Sequence, residues 1–265
     1  VGRRADGYHL LQSAFTLIDF GDEMRVTRRE DGPIRRISEL PGVDEQDDLV
    51  VRAARKLQAA TGTLFGADIE LVKRIPMGGG LGGGSSDAAS TLLLLNRLWQ
   101  AGLPAIGLQE LGLSLGADVP FFIFGRSAWA EGVGEVLQPI EIPAWWYVVI
   151  CPSVTVSTPV VFGHPELTRN TIPSKIADFS ASGLAVMGND LQPVVLKQFP
   201  AVAASLAALR AVSQKSIFGA RMTGSGACVF AAFESEQDAR DAFRQLKPGY
   251  SGFVAQGLRK HPLCD

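Results

Sequence analysis

A glycine-rich segment between residues 76 and 86 is the part of the sequence that most directly predicts chemistry. It contains six glycines in seven positions, which is entropically costly unless the backbone bends unusually or approaches another group closely. It follows a predicted strand and opens a predicted helix, whose N-terminal N–H groups and dipole favour an anion. We therefore predict that it binds a polyphosphate, although a flexible glycine-rich turn is the alternative. The candidate phosphate-binding residues are Pro76, Met77, Gly78, Gly79, Gly80, Leu81, Gly82, Gly83, Gly84, Ser85 and Ser86.

Two other kinds of phosphate-binding loop fit the sequence poorly. No lysine follows the glycines, so the segment is not a P-loop. Gly78, Gly80 and Gly83 match the dinucleotide pattern G-x-G-x-x-G, but residues 100–104, about 20 positions later, contain no acid. A dinucleotide-dependent oxidoreductase therefore stays an alternative that tight NAD binding would support.

Several isolated residues could do chemistry or could be structural. Asp118 lies in a Gly-Ala-Asp-Val-Pro segment, where it is either an acid–base group or a loop or helix-capping aspartate. Tyr8 and Phe162 could stack on a ring or lie in the core. The segment 223–226 is a strand-connecting turn or a ligand-binding loop.

Periodicity and turn residues predict an α+β protein with two domains, residues 1–145 and 146–265. The domain boundary is placed where prolines surround the apolar run 145–150. In the first half the predicted elements are a hairpin over 13–29, a helix from an Asp47 N-cap to Ala60, a strand over 67–72, helices over 88–99 and 108–115, and a strand over 121–124. In the second half they are a helix over 199–213, a strand over 227–233, a helix from Ser235 and a strand over 252–257.

Composition excludes several classes of protein. The 265 residues are 46% hydrophobic and 20% charged with a formal net charge of −2, so we expect a globular protein that binds neither nucleic acid nor a membrane. No apolar run is long enough to span a membrane, and no signal peptide is visible. The three cysteines form no C-x-x-C pair, which favours a reducing cytoplasm. Composition leaves the oligomeric state open.

Four segments together resemble one superfamily: galactokinase, homoserine kinase, mevalonate kinase and phosphomevalonate kinase. They are the glycine-rich segment, residues 2–11 (GRRADGYHLL), 115–122 (LGADVPFF) and 223–230 (TGSGACVF). Within that superfamily the sequence resembles the 4-diphosphocytidyl-2-C-methyl-D-erythritol kinases. The resemblance implies a fold with an N-terminal ATP-binding domain. It also implies transfer of the γ-phosphate of ATP, with Mg²⁺, to a methylerythritol hydroxyl in the non-mevalonate route to isoprenoid precursors.

The same resemblance implies roles for particular residues. Asp118 matches the catalytic aspartate, and Ser86 and Glu131 are candidates for holding Mg²⁺. The residues matching the substrate site are Tyr8, His9, Thr158, Phe162, Gly224, Ser225 and Gly226. Adenine is expected near Asp47–Leu49 and Lys73–Met77. Many relatives carry asparagine where this chain has Asp48, and Lys73 and Arg74 could instead be solvated charges.

The family's first motif includes a lysine and an asparagine upstream of the position that matches Val1. The resemblance therefore implies that the N-terminal domain lacks its first strand, and we expect the sequence to be a truncated product. Two alternatives stay open: a non-catalytic nucleotide-binding relative, and a homoserine or mevalonate kinase. The second alternative fits Tyr8, His9 and Phe162 poorly. These residues match a site for a nucleotide base, and neither homoserine nor mevalonate carries a base.

Overall fold

The structure, a computed structural model, describes residues 2–3, 9–174, 176 and 187–264. Helices and strands are interspersed along these residues, as the α+β prediction requires. The strands are β1 (Gly2–Arg3), β2 (His9–Leu10), β3 (Ser13–Phe15), β4 (Leu17–Ile18), β5 (Glu23–Arg29), β6 (Ile34–Arg36), β7 (Gly66–Val72), β8 (Ala128–Glu131), β9 (Val136–Pro139), β10 (Trp146–Ile150), β11 (Phe218–Met222), β12 (Val229–Phe233) and β13 (Gly252–Leu258). The helices are α1 (Leu49–Thr61), α2 (Gly83–Leu98), α3 (Ala105–Leu113), α4 (Val119–Phe124), α5 (Thr158–Gly163), α6 (Gln192–Gln198), α7 (Pro200–Val212) and α8 (Glu236–Leu246).

A five-stranded antiparallel sheet with the order β11-β12-β10-β13-β4 organises the C-terminal half of the chain. Residues alternate between its faces, as strand geometry requires. Val148 and Ile150 of β10 pack with α7 and α8, whereas Tyr147 and Val149 face a second cluster that includes Leu81 of the glycine-rich segment. The glycine-rich segment is therefore held against this sheet by Leu81.

The N-terminal half has its own core. Helices α1 and α2 pack on each other and on β7 of the three-stranded sheet β5-β7-β6. The strands β3, β8 and β9 form a separate three-stranded sheet in the order β3-β8-β9. Because β4 pairs with β13, one N-terminal strand completes the C-terminal sheet. The division at residues 145 and 146 stays a prediction.

Most of the predicted elements in the second half of the chain are confirmed. Helix α7, strand β12 and strand β13 lie within a few residues of their predicted positions. Ser235 caps α8 by accepting a hydrogen bond from the Asp238 N–H, as its spacing predicts. Strand β7 also runs close to its predicted bounds. These elements carry strong local signals, which explains the agreement.

Three predictions in the first half are wrong. The apolar run Phe121–Phe124 is helix α4 rather than a strand, because Pro120 starts a helix and Gly125 ends it in the left-handed region. Residues 13–29 form no hairpin, since β3, β4 and β5 pair with β8, β13 and β7 respectively. The N-cap of α1 is Asp48 rather than Asp47.

Helix α2 also begins earlier than predicted, at Gly83 instead of Ala88. Ser85 and Ser86 therefore lie in its first turn and do not precede it. Within the described residues, no single helix has the length and apolar composition to cross a membrane, although α6 and α7, bent by 117°, meet that test as a pair.

Candidate active site

The glycine-rich segment turns sharply before it enters α2. Gly78, Gly80 and Gly82 have φ values of 69°, 70° and 69°, in the left-handed region that favours glycine. At Gly80 there is also no room for a side chain, because a Cβ atom would lie 2.4 Å from the Thr223 carbonyl oxygen. Both conformation and close approach therefore require glycine at this position.

The N-terminus of α2 presents backbone donors at the end of this segment. The N-cap, Gly82, supplies no side-chain hydrogen bond. The first N–H groups of a helix have no partner within the helix, and its dipole favours negative charge there. Gly84 is exposed, and Ser85 and Ser86 are half-buried. This end of α2 can therefore accept a phosphate group from solvent.

A second loop, residues 223–228, packs directly on the first. The N–H groups of Ala227 and Cys228 donate to the carbonyls of Gly78 and Gly79, at 3.2 and 3.0 Å. The Thr223 hydroxyl donates to the Gly80 carbonyl at 2.9 Å. The structure thus brings the predicted substrate-loop residues Gly224, Ser225 and Gly226 together with the predicted phosphate loop.

Thr158 belongs to the same neighbourhood. It begins α5, and its hydroxyl lies 2.6 Å from the Ser225 hydroxyl. The segment before it also touches the glycine loop, since a Cβ on Gly78 would lie 2.6 Å from Thr155 Cγ2. Phe162, one turn further along α5, is half-buried and packs against the C-terminal core. Its ring is therefore at least partly a core group.

Asp118 lies in the turn before α4 and makes no capping hydrogen bond to that helix. Asp118 thus occupies the N-cap position of α4 without capping the helix through its side chain, and the loop alternative stays open. The residue is exposed, yet the surrounding protein desolvates its carboxyl and raises its pKa above the ordinary value. Two glycines show which segments are its neighbours. A Cβ atom added to Gly116 would lie 3.8 Å from Ser85 Oγ, and a Cβ atom added to Gly134 would lie 3.9 Å from Asp118 Oδ1. The Asp118 turn thus lies between the start of α2 and the β8–β9 turn.

The two candidate magnesium ligands lie on either side of this turn. Ser86 is in the first turn of α2, and Glu131 ends β8 and accepts a hydrogen bond from the Gln12 amide at 2.6 Å. Among the described residues, no group of three or more His, Cys, Asp or Glu side chains could hold a metal ion. Mg²⁺ prefers oxygen ligands and is commonly held by one or two carboxylates together with substrate phosphates. The donor chemistry of Ser86 and Glu131 fits such a site.

An ion-paired cluster beneath α2 is absent from the sequence-based predictions. Lys73 is not a solvated charge: its ammonium group pairs with Asp22 at 2.5 Å and with Asp87 at 2.7 Å, and all three side chains are largely buried. The second oxygen of Asp22 accepts the backbone N–H groups of residues 74 and 75. A Cβ on Gly83 would lie 3.3 Å from the Lys73 ammonium, so the cluster lies directly under the start of α2.

The pairing of β5 with β7 could have indicated this cluster. Glu23 lies opposite Val72, which places the preceding residue, Asp22, beside Lys73. Burial raises the pKa of Asp87 to about 7, and the charge of Asp22 adds to this, whereas the hydrogen bond from Lys73 opposes it. Desolvation lowers the pKa of Lys73, but the hydrogen bonds to the two carboxylates outweigh it and the net shift is upward.

Asp48 has a structural task in α1. It is buried, accepts the Val50 N–H at 2.9 Å and pairs with Arg36 at 2.9 Å. An aspartate satisfies both partners, because a carboxylate accepts several hydrogen bonds and attracts the guanidinium.

Of the predicted base-binding residues, Tyr8 lies outside the described residues, and His9 is placed only as a backbone position of β2, opposite Arg3.

Comparison with known proteins identifies the family to which the chain belongs. The family model "GHMP kinases N terminal domain" matches residues 48–126, and "GHMP kinases C terminal" matches residues 174–251. The chain is 57% identical to a 4-diphosphocytidyl-2-C-methyl-D-erythritol kinase of Thiobacillus denitrificans over 266 residues, which cover 100% of this chain and 92% of that protein. The chain belongs to the GHMP kinase family.

Other members of this GHMP kinase family give the same picture. A kinase of the same name from Aromatoleum aromaticum is 53% identical over 263 residues, covering 99% of this chain and 90% of that protein. A crystal structure of a 4-(cytidine 5'-diphospho)-2C-methyl-D-erythritol kinase superposes with a TM-score of 0.80 at 34% identity, covering 96% and 92% of the two chains. The predicted family, its two-domain kinase fold and the class of ATP-dependent small-molecule kinase are therefore confirmed.

Proposed function

We propose that the chain transfers the γ-phosphoryl group of ATP to the methylerythritol hydroxyl of 4-diphosphocytidyl-2-C-methyl-D-erythritol. The observation that carries this proposal is the contact of three predicted site segments: the glycine loop, the 223–228 loop and the Asp118 turn. The substrate is inferred from the names of the relatives at 57% and 53% identity.

Phosphoryl transfer depends mainly on positioning and on stabilising charge. In this proposal the β- and γ-phosphates lie against Gly82–Ser86, where the α2 N–H groups donate to their oxygens. The hydroxyls of Ser85 and Ser86 add donors at the same end of the helix. Contacts between Gly78–Gly80 and the 223–228 loop keep both loops rigid, so little entropy is lost when the phosphates bind.

Asp118 is the proposed general base. It would accept, or orient, the proton of the substrate hydroxyl as the new bond to phosphorus forms. Its raised pKa, caused by desolvation, brings the carboxyl closer to the pH at which a base is both ionised and able to take a proton. Ser86 and Glu131 would hold Mg²⁺ together with the phosphate oxygens. When bound, the ion would neutralise part of the negative charge of the phosphates.

The cytidine end of the substrate is proposed to lie near α5. Thr158 and Ser225, joined by a hydrogen bond, are close to the phosphate loops and can contact the diphosphate or the sugar. Tyr8, His9 and Phe162 are proposed to hold the base, with one aromatic ring on each face. The three cysteines and the chemistry of the substrate are consistent with a cytoplasmic enzyme.

The test is phosphorylation of 4-diphosphocytidyl-2-C-methyl-D-erythritol by the full natural protein, with labelled ATP and Mg²⁺. Homoserine and mevalonate serve as competing acceptors in parallel reactions. We expect transfer of label to the cytidine substrate alone. ATP binding without transfer to any acceptor would instead favour a non-catalytic nucleotide-binding relative, and transfer to another acceptor would move the assignment within the superfamily.

A further inference from the structure

Two of the three cysteines face each other beneath the glycine loop. Strands β10 and β12 pair antiparallel with Ile150 opposite Val229, and Cys151 and Cys228 are the next residues at that end. Their side chains pack in the same cluster on one face of the sheet. Opposed residues of antiparallel strands have Cα atoms about 4.5–5.5 Å apart, within the range of about 4.4–6.8 Å that disulfides require. The backbone therefore already permits a bridge.

The two cysteines of this pair differ in their exposure to solvent. Cys228 is buried, with 1% of its surface exposed, whereas Cys151 is half-buried. Cys151 is therefore the more exposed residue of the pair, and a small thiol-reactive molecule reaches the pair from its side.

The two thiols also differ in acidity. The neighbouring Cys228 thiol lowers the pKa of Cys151, whereas Cys151 and burial raise the pKa of Cys228, so Cys151 ionises more readily than Cys228. The thiolate is the reactive form of cysteine. Cys151 is thus the attacking residue, and Cys228 is suited to resolve the product.

The buried cysteine is coupled to the phosphate loop. The Cys228 N–H donates to the Gly79 carbonyl at 3.0 Å, and a Cβ on Gly79 would lie 2.8 Å from Cys228 Sγ. A disulfide requires sulfur atoms about 2.05 Å apart, so the Cys228 sulfur must move towards Cys151 when the bond forms. That movement takes the Cys228 sulfur away from Gly79, which packs against it.

We propose that Cys151 and Cys228 are an oxidisable dithiol, and that their disulfide weakens ATP binding and slows the kinase by displacing the glycine loop. The effect on turnover rests on the proposed function, whereas the disulfide and the loss of ATP affinity do not. The oxidant is a small disulfide such as oxidised glutathione. The Cys151 thiolate attacks one of its sulfurs and expels one thiolate, which gives a mixed disulfide.

The second step completes the exchange. Cys228 gives up its proton and attacks the Cys151 sulfur of the mixed disulfide, which expels the second small thiol. The two cysteine protons end on the two released thiols. Two protein thiols are oxidised, and one small disulfide is reduced to two thiols.

The experiment incubates the full natural protein with oxidised glutathione and measures intact mass, peptide linkage, ATP affinity and kinase rate. We expect the protein to lose two hydrogen atoms in mass, with a Cys151–Cys228 linked peptide. We expect ATP affinity to fall by about tenfold and the rate by up to about a hundredfold, as for a small misplacement of a catalytic element. Dithiothreitol should restore the mass, the affinity and the rate together.

Two single variants make the test decisive. Cys151→Ser should keep the untreated protein's affinity and rate and lose the response to oxidised glutathione. Cys264→Ser is the matched control, since Cys264 contacts the Ile123 carbonyl at the end of α4, and it should respond as the unmodified sequence does. The proposal is wrong if no internal disulfide forms, if the bridge includes Cys264, or if Cys151→Ser still loses ATP affinity. A protein that binds ATP but phosphorylates nothing would refute the proposed function and leave the mass and affinity results to decide this inference.

Discussion

The Thr223 hydroxyl donates a hydrogen bond to the Gly80 carbonyl at 2.9 Å, across 143 positions of sequence. This contact closes the glycine loop of the N-terminal half against a loop of the C-terminal sheet. It is accompanied by two backbone hydrogen bonds from residues 227 and 228. The phosphate-binding backbone is therefore shaped by both halves of the chain and not by the local glycine sequence alone.

Gly80→Ala should abolish most of the activity. The new Cβ would lie 2.4 Å from the Thr223 carbonyl oxygen, and alanine is also strained at a φ of 70°. The loops must separate to relieve the contact, so we expect a rise in the KM for ATP and a fall in kcat of about a hundredfold. Steady-state kinetics at varied ATP concentration would measure both.

Gly102→Ala is the matched control for that variant. Gly102 has a φ of 71°, but a Cβ there would meet nothing within 4 Å. It therefore reproduces the backbone strain without the close contact. We expect a loss of stability of about 1–2 kcal/mol with unchanged kinetics. Equal kinetic defects in the two variants would show that strain, not the approach of Thr223, explains the effect at Gly80.

Asp118→Asn should lower kcat by about a hundredfold to ten-thousandfold, because asparagine cannot accept a proton. The free energy of unfolding should change little, since the carboxylate makes no capping bond to α4. Asp44→Asn is a suitable control, because it removes one negative charge at an exposed position. An Asp118→Asn enzyme with normal kcat would remove Asp118 from the mechanism.

The pH profile of the unmodified enzyme gives a second measurement at Asp118. Desolvation raises its pKa, so the ionised base is lost at a higher pH than for an ordinary aspartate. We therefore expect kcat/KM to fall on the acid side, with a midpoint above the usual value for a carboxyl group. A midpoint at or below that usual value would contradict the raised pKa.

The strongest sequence-based predictions concern short local signals. The glycine loop, the start of α8 at Ser235 and strand β7 each depend on a few neighbouring residues, and the structure places them as expected. The run Phe121–Phe124 was predicted wrongly because four apolar residues have no period that separates strand from helix. There the turn residues on either side, Pro120 and Gly125, decide the outcome.

What the sequence pattern could not supply is proximity between distant segments. Nothing in the local sequence shows that Thr223 meets Gly80, because the two residues lie 143 positions apart. Lys73 was interpreted as a possible solvated charge because its partners, Asp22 and Asp87, lie 51 and 14 positions away. Burial and pairing are tertiary properties, so charge type alone could not distinguish this lysine from the exposed Arg74.

Asp87 should make stability depend on pH. Its pKa is about 7 in the folded protein against an ordinary value of 3.8, so the folded state binds this proton more tightly than the unfolded chain does. The stabilisation is fully present below about pH 4 and is lost as pH rises through about 7. Asp87→Asn cannot ionise, so the unmodified protein should lose stability relative to it over this range.

The measurement is denaturant unfolding of both proteins between pH 4 and 8, without nucleotide. The difference in unfolding free energy should change by at most about 1.4 kcal/mol per pH unit, in favour of the asparagine variant at higher pH. Groups common to both proteins cancel in the difference. A pH-independent difference would show that Asp87 titrates alike in the folded and unfolded chains.

Lys73→Met should be among the most destabilising single changes in this part of the fold. It leaves the carboxylates of Asp22 and Asp87 buried side by side without their shared cation, and removing one partner of a buried pair costs about 3–5 kcal/mol. Arg74→Met is the matched control, because its pair with Glu23 is exposed and contributes at most about 1 kcal/mol. Adding Asp87→Asn to Lys73→Met should recover part of the loss, since only one buried charge then remains. If the double variant is less stable than Lys73→Met in chemical denaturation, repulsion between Asp22 and Asp87 is not what destabilises the single variant.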